Sequence, residues 1–357
     1  MKEANSQSAI DTASRGRPLV SFLLFAYRQE AYVEAAMRSA LAQTYEPLEI
    51  IVSDDASPDA TFAVIQRIAR DYRGPHRLRI NRNRKNLGMG AHYDHIMGLA
   101  EGEIFVLAAG DDISNPRRTE RVVEALDRNP DAGLVYSGME VIGPAGEHLA
   151  AYEHFSSVER INDRNEYIWR DALIIGASFS IRRSLVDKFD RILSANHVED
   201  RTLIFRTYLS GLRIVELPET LVKWRQVGRS RSTRTVYKDA DKTRLQNYLM
   251  DEKCAWWVLT SFRQHLVDLW SLDEPRPDLE RALLARIAEI GLAHELWRVE
   301  RPAYRMLLEA VRGGARLLPS LKLFLKFRHI RLYLTSIEKW RWLKRRLGMI
   351  PAVAQLA

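Results

Sequence analysis

The sequence predicts an α/β fold: a doubly wound, mostly parallel, Rossmann-like sheet with a helical extension at its C-terminal end. Three observations carry that reading. Short apolar runs alternate with amphipathic stretches as four strand–helix units within about 120 residues, the pattern of a parallel sheet covered on both faces. Acid-rich clusters follow directly on two of the apolar runs, at the strand ends where open sheets of this kind bind ligands. From about Lys238 onward the strand signal stops and helical periodicity takes over.

Residues 1–16 are polar and aperiodic and read as a loose leader. Leu19–Ala26 is a short apolar run, hence a buried strand, and Glu30–Gln43 carries Tyr32, Ala36 and Ala40 at helical spacing. Leu48–Ser53 is the next strand. Pro58–Tyr72 follows as a helix, with Ser57 as N-cap and Pro58 at the first helical position. Leu78–Asn81 reads as a short strand, Ala91–Ala100 as a helix, Ile104–Ala109 as a strand and Pro116–Asn129 as a helix capped by Asn115. Gly133–Ser137 adds one more strand.

At 357 residues and 46% apolar, the chain is long enough for a large core and is not of disordered composition. Its single cysteine, Cys254, excludes an internal disulfide and suits a reducing, cytoplasmic compartment. The longest apolar run, Pro18–Tyr27, is bounded by Arg17 and Arg28 and falls short of the roughly 18 residues a spanning helix needs. The net charge of +8 is uneven: from Arg301 to the end there are thirteen Lys/Arg against two Asp/Glu, a local +11, leaving −3 elsewhere. That confinement to a helical tail argues against nucleic-acid binding, which needs aromatics interleaved with basic residues on a compact domain.

Three clusters carry chemistry. Asp54-Asp55-Ala56-Ser57-Pro58-Asp59 ends the second strand, either as a plain strand-to-helix turn or as a pair of acceptors for a nucleobase N–H or a ribose hydroxyl. Gly110-Asp111-Asp112 ends the strand IFVLAA; alone it is a weak signal, but paired carboxylates at a strand end suit Mg²⁺ or Mn²⁺ bridging to phosphate oxygens. His197-Val198-Glu199-Asp200 offers a carboxylate to deprotonate a hydroxyl nucleophile, or equally the acidic first turn of a helix Arg201–Leu209.

Together and in this order the clusters resemble glycosyltransferase family 2. The resemblance begins at VSFLLFAYRQEAYVEAAMRSALAQTYEPLEIIVSDDASPDAT, continues through NRKNLGMGAHYDHIMGLAEGEIFVLAAGDDISNP and ends with HVEDRTLIFRTYLSG, spanning roughly Pro18–Ser232 without the tail. It implies a GT-A fold and an inverting, metal-dependent transferase using Mn or Mg. By the same resemblance Ala26, Tyr27, Glu30, Asp54 and Asp55 lie around the nucleotide base, and Asn86 and Gly88 near the nucleotide-sugar. Asp111 lies on the ribose and metal side, Asp112 on the metal; Asp200 is the base, with Glu199 orienting the site. Two departures stand out. Ala109 occupies a position where the family often has a further Asp, and Lys223-Trp224-Arg225-Gln226-Val227 replaces a segment that often supplies a His. Arg225, Arg229 or Arg231 are then candidates to neutralise the leaving diphosphate, with a surface basic loop as the plain alternative.

The implied organisation is a leader over 1–16, a GT-A domain over 17–237 and a helical, basic region over 238–357. The implied reaction moves a sugar from a nucleoside diphosphate, UDP foremost, onto a saccharide or lipid-linked glycan of the cell surface. Acceptor choice is expected from the segment around Trp169, Gly176 and Ser178 and from the tail. In the tail, Leu323, Phe327, Ile330, Leu334, Ile337 and Trp340 form an apolar stripe with basic residues off it, suited to packing on the domain or to lying on an anionic membrane at its inner face. A nucleotidyltransferase would carry a Gly-rich basic phosphate loop, which AYRQEAY is not. A non-catalytic saccharide- or nucleotide-binding relative would have lost the acids, whereas Asp111, Asp112 and Asp200 are present.

Overall fold

The computed structural model describes residues 16–152, 162, 167–169, 174–192, 199–226, 256–298, 304–318 and 320–321. They belong to two compact units, one of Met1–Asn247 with Thr260–Pro275, the other of Tyr248–Leu259 with Arg276–Ala357. The expected boundary at 237/238, His197, Arg229, Arg231 and the apolar stripe from Leu323 lie outside the described residues.

In the first unit the chain runs β1 (Val20–Ala26), α1 (Val33–Leu41), β2 (Leu48–Asp54), α2 (Thr61–Asp71), β3 (Arg77–Arg82), α3 (Met89–Leu99), β4 (Ile104–Ala109), β5 (Ile113–Ser114), α4 (Arg118–Arg128), β6 (Ala132–Ile142) and β7 (His148–Tyr152). A 3₁₀ turn at Gly176–Ser178 leads into β8 (Phe179–Arg182), α5 (Arg183–Asp187), α6 (Glu199–Leu209) and β9 (Arg213–Arg225). Among the described residues the strands form one sheet in the order β3-β2-β1-β4-β8-β6-β9-β5, with β7 beside β6.

The half β3-β2-β1-β4 is wholly parallel, as expected from the strand–helix alternation. Val20, Phe22, Leu24 and Ala26 alternate onto one face of β1, where Val33, Ala36, Met37 and Ala40 of α1 and Ile65 and Ile68 of α2 cover them. Leu23, Ile51 and Leu107 are buried too, which is why these strands read as unbroken apolar runs. Each such side chain contributes about 2 kcal/mol of burial. The other half is mixed: β8 is antiparallel to β4 and β6, β9 parallel to β6, and β5 antiparallel to β9.

Several expected boundaries move for local reasons. Helix α2 begins at Thr61 and not at Pro58, because Asp59 Oδ1 accepts the Thr61 amide at 3.1 Å while Ser57 Oγ is taken by the Arg28 amide at 2.9 Å. Helix α4 begins at Arg118: the Asn115 side chain accepts the Arg117 amide at 2.9 Å, one step ahead of the helix. Strand β6 runs on past Ser137 to Ile142, since its second half gains partners in β7 and β9. No helix among the described residues is long and apolar enough to cross a membrane.

The second unit holds α7 (Pro277–Arg298) and α8 (Tyr304–Arg312). Leu292 and Leu307 pack with Met306, Ala310, Val311 and Leu321, and buried Glu289 receives the Arg316 guanidinium at 2.6 and 3.1 Å.

Candidate active site

The carboxyl ends of β1, β2 and β4 lie side by side, and the loops that leave them are laced together. Ala26 pairs in register with Asp54, its carbonyl accepts the Asp55 amide at 2.9 Å, and the Phe25 carbonyl accepts the Gly110 amide at 2.8 Å. At Gly110 a Cβ would fall 2.4 Å from the Gln29 side-chain oxygen and 3.1 Å from the Phe25 carbonyl, so a side chain here would displace Gln29 and strain the approach of the two loops. Arg28 and Ala56 both have φ of 56°, a left-handed backbone that non-glycine residues adopt at a cost of about 1–3 kcal/mol each. Cross-loop bonds hold them there: the Arg28 amide to Ser57 Oγ, the Gln29 amide to Thr61 Oγ1 at 2.8 Å, and the Ala60 amide to Glu30 at 2.8 Å.

The expected nucleotide residues divide by their bonding. Asp54 is fully buried; one oxygen accepts the Ser57 amide at 3.0 Å and faces Arg82 at 3.4 Å, while Oδ1 has no hydrogen-bond partner. Asp55 is saturated: it accepts Asn83 Nδ2 at 2.7 Å, the Leu87 amide at 2.9 Å and the Gly88 amide at 3.0 Å. It thereby anchors the turn in which Asn86 Oδ1 also accepts the Gly88 amide at 3.0 Å, and Gly88 itself caps α3. Tyr27 is exposed at the rim.

Asp111 and Asp112 form a buried acid pair. Burial raises the Asp111 carboxyl above its ordinary 3.8, opposed by the Gln29 side-chain amide. Burial and then the repulsion of Asp111 raise Asp112 well above the same value, opposed by the Arg225 amide that its Oδ1 accepts at 2.8 Å. Arg225 braces the pair from β9: its Nε donates to the Asp111 carbonyl at 2.9 Å, its Nη1 to the carbonyls of Gly143 and Pro144 at 2.9 and 3.0 Å, and its guanidinium covers the Tyr32 ring at 4.9 Å. Two adjacent hard oxygen donors whose acidity stays raised despite the nearby charges of Arg225 and Arg118 fit Mg²⁺ or Mn²⁺, whose remaining ligands would be phosphate and water. Among the described residues no third His, Cys, Asp or Glu joins them to make a closed metal cage.

Asp200 stands in the first turn of α6 with Glu199, so the helix-terminus reading and the base reading describe the same residues. Burial raises its carboxyl to about 6; the Arg201 charge and the amides of Arg201 and Gly176 oppose that rise. Gly176 packs so closely that an added Cβ would lie 3.2 Å from Asp200 Cβ. The expected acceptor segment therefore touches the expected base at Gly176; Ser178 is buried against the Ile175 carbonyl, and Trp169 is half-buried.

Three residues escaped the sequence reading. Tyr93, stacked on Phe25 at 4.0 Å, lies in the joint field of Glu199, Asp200 and Asp112, which after burial holds its phenol well above 10.0. Its basis is positional: α3 passes both acid groups. Arg118 is 1% exposed and spans the sheet, donating to Ser114 Oγ and to the carbonyls of Leu107, Ala177 and Phe179 at 2.8 to 3.2 Å. Burial lowers it to about 10, against the pull of Asp112. In the sequence it looks like any basic residue opening an amphipathic helix. Gln29 touches Asp111, which only the lacing of the loops reveals.

Comparison with known proteins places this arrangement. Residues 21–189 match the model of the Glycosyl transferase family 2 family. An uncharacterized glycosyltransferase of Haemophilus influenzae is 28% identical over 222 residues, 60% of this chain and 68% of its own. The crystal structure of S. aureus TarS 1–349 in complex with UDP-GlcNAc aligns with a TM-score of 0.52 at 16% identity, over 87% of this chain and 91% of that one. The mannosyltransferase PcManGT of Pyrobaculum calidifontis, in complex with GDP-Man and Mn²⁺, aligns at 0.51 and 17% identity, over 91% and 83%. At such identities the likeness is one of fold.

Proposed function

Because the chain belongs to glycosyl transferase family 2 and is a glycosyltransferase of GT-A fold, we propose that it transfers a sugar from a nucleoside diphosphate, UDP foremost, to a hydroxyl of a saccharide or lipid-linked glycan, with inversion. The single observation behind this is that two acid groups act on one buried phenol, Tyr93: Asp112 of the pair after β4, and Asp200 with Glu199 at the head of α6. One pair has the chemistry to take a cation and diphosphate; the other carboxylate, neutral-range in its acidity, has the chemistry to take a proton.

In this reading Ala26, Tyr27, Glu30 and Asp54 border the base, Asp54 offering its unpartnered Oδ1 to a nucleobase N–H. Asp55 acts by fixing the Asn86–Gly88 turn beside the donor. Asp111 and Asp112 would hold a divalent cation, which would supply positive charge against the departing diphosphate. Arg225 keeps the pair in place and adds its charge nearby. Asp200 accepts the proton of the attacking hydroxyl as the new bond forms at the anomeric carbon and the bond to the diphosphate breaks, one displacement that inverts the centre. Glu199 adds to the field that orients the site. TarS and PcManGT, solved with UDP-GlcNAc and with GDP-Man and Mn²⁺, support this chemistry by fold.

The limits proposed are 17–237 for the body of the transfer domain, to which residues 260–275 of the same compact unit are added, with the rest of 238–357 a helical, basic region that brings the enzyme to an anionic membrane face. The tail's charge supports the latter, as do Leu308, Leu317 and Leu318, all more than half exposed in a stretch with Arg305, Arg312 and Arg316. The test of the donor site is thermal stabilisation by UDP, GDP, CDP and dTDP, each with and without Mn²⁺. A metal-dependent shift for one nucleotide is expected and identifies the donor class; no shift with any of the four would sink the reading.

A further inference from the structure

The helix that carries Asp200 is gripped from a segment far along the chain. Residues 260–270 are helical and belong to the same compact unit as the sheet, although they lie well beyond the family-matched 21–189. Two side chains converge on one main-chain atom of α6. The Arg201 carbonyl accepts Tyr167 Oη at 2.6 Å and His265 Nε2 at 3.2 Å; a carbonyl only accepts, so Nε2 carries the proton. His265 is fully buried, its ring stacked on Phe205 of α6 at 4.2 Å and edge-on to Phe262 at 5.1 Å. One turn further on, Arg206 makes a two-pronged pair with Asp268 at 2.9 and 3.0 Å and reaches the Asp190 carbonyl at 2.6 Å. Gln264 completes Asp268 at 2.9 Å.

The geometry bears on the base through one residue, Arg201. Asp200 Oδ1 accepts the Arg201 amide at 2.9 Å, and the Arg201 carbonyl is the atom that Tyr167 and His265 hold. The first turn of a helix is the part most prone to fray. Pinning its carbonyl fixes the residue whose amide points at the carboxylate. We propose that Tyr167 and His265 are positioning residues for Asp200, and that residues 260–270 are thereby an integral part of the transfer site. This rests on the reading of Asp200 as the base.

The groups acting on Asp200 are the Gly176 amide from the 3₁₀ turn, the Arg201 charge and amide and its own amide from its own helix, and Tyr93 from α3. Of these the Arg201 amide is the one the grip controls, and it favours the ionised carboxylate. Loosening the grip therefore makes Asp200 a weaker acid.

The experiment is a carboxyl ¹³C NMR titration of the full chain labelled at aspartate, with the Asp200 signal assigned by its loss in Asp200→Asn. Wild type is compared with Tyr167→Phe, His265→Leu and His265→Gln, each checked for cooperative melting. Asp200 should titrate near pH 6 in wild type and in His265→Gln, which keeps an N–H donor. In Tyr167→Phe and His265→Leu its proton affinity should rise about threefold or more, the scale of one weakened hydrogen bond. An unchanged titration in these two variants overturns the proposal. Should His265→Leu fail to fold, Tyr167→Phe, which deletes a single hydroxyl, decides alone. The probe is the proton, so the result stands whether or not a donor has been found, and the nucleotide panel tests transfer separately.

Discussion

The Asp55 carboxylate holds the Gly88 amide at 3.0 Å, and through it the loop after β2 and the start of α3 move as one body. An acid at the end of a sheet strand would ordinarily be free for a ligand. Here it is consumed by shaping the ligand's surroundings.

Replacing Asp55 by alanine strands the Asn83 side chain and the amides of Leu87 and Gly88. Charged acceptors are worth about 1.5–3 kcal/mol per bond, without full additivity, so a loss of about 3 kcal/mol is expected. Hydrogen exchange at Leu87 and Gly88 should quicken, and nucleotide affinity should fall even though Asp55 donates nothing to the ligand directly. Unaltered exchange at those amides would contradict the anchor role.

The acid pair makes the opposite prediction for stability. Asp112 has a folded-state acidity raised well above 3.8, so the fold favours its protonated form; the apo protein loses stability as pH climbs from the ordinary carboxylate range through that raised value. Asp112→Asn keeps an oxygen for the Arg225 amide and removes the charge. At neutral pH the apo variant should melt roughly 1–2 °C higher, the shift that about 1 kcal/mol gives in a chain of this size. The stabilisation of wild type by Mn²⁺ with nucleotide should vanish in it. A lower apo melting temperature would refute the repulsion argument.

For Asp200 the window is set by a carboxyl raised to about 6. A base must be ionised, so turnover rises through pH 6 and levels above it, with about a tenth of the plateau rate at pH 5. Asp200→Asn should leave metal-dependent nucleotide binding unchanged and lower turnover by about 10²–10⁴. Steady-state rates across pH check both; near-normal turnover in the variant would reassign the base.

The tail predicts lipid dependence. The full chain should co-sediment with vesicles containing phosphatidylglycerol, fail to do so with pure phosphatidylcholine, and be released as salt rises, since the attraction falls off within about a Debye length of 8–10 Å at ordinary ionic strength. Equal binding to both vesicle types would leave the charge of 301–357 without that role.

Why some of this was legible in the chain and some was not follows from where each element finds its partners. Strands β1, β2 and β4 are buried on both faces, so apolar runs announce them, and Ile104–Ala109 is bounded as expected. Strand β9 is thirteen residues long yet was missed: RIVELPETLVKWR alternates, carries Pro218 and charges, and meets β6 with register shifts. Strands β5 and β8 are two and four residues long and exist only through pairing with distant segments. The same division holds in the site. Asp54, Asp55, Asp111, Asp112 and Asp200 lie in compact acidic clusters that can be seen in one dimension. Arg118, Tyr93 and Gln29 gain meaning only once loops from three strands are brought together, and no local pattern marks them.

The brace on the acid pair has a consequence for how the protein comes into being. Asp112 is made 113 residues before Arg225, whose amide it needs, and the grip on α6 waits for residues beyond 260. A ribosome therefore completes every carboxylate of the site long before it supplies what holds them still. The nascent chain passes through a stage in which Asp112 lacks the Arg225 amide and α6 lacks its grip. Selection at positions such as Arg225, Arg206 and Asp268 is then a matter of finishing the molecule as much as of running it, and errors there should appear first as poor yield during synthesis.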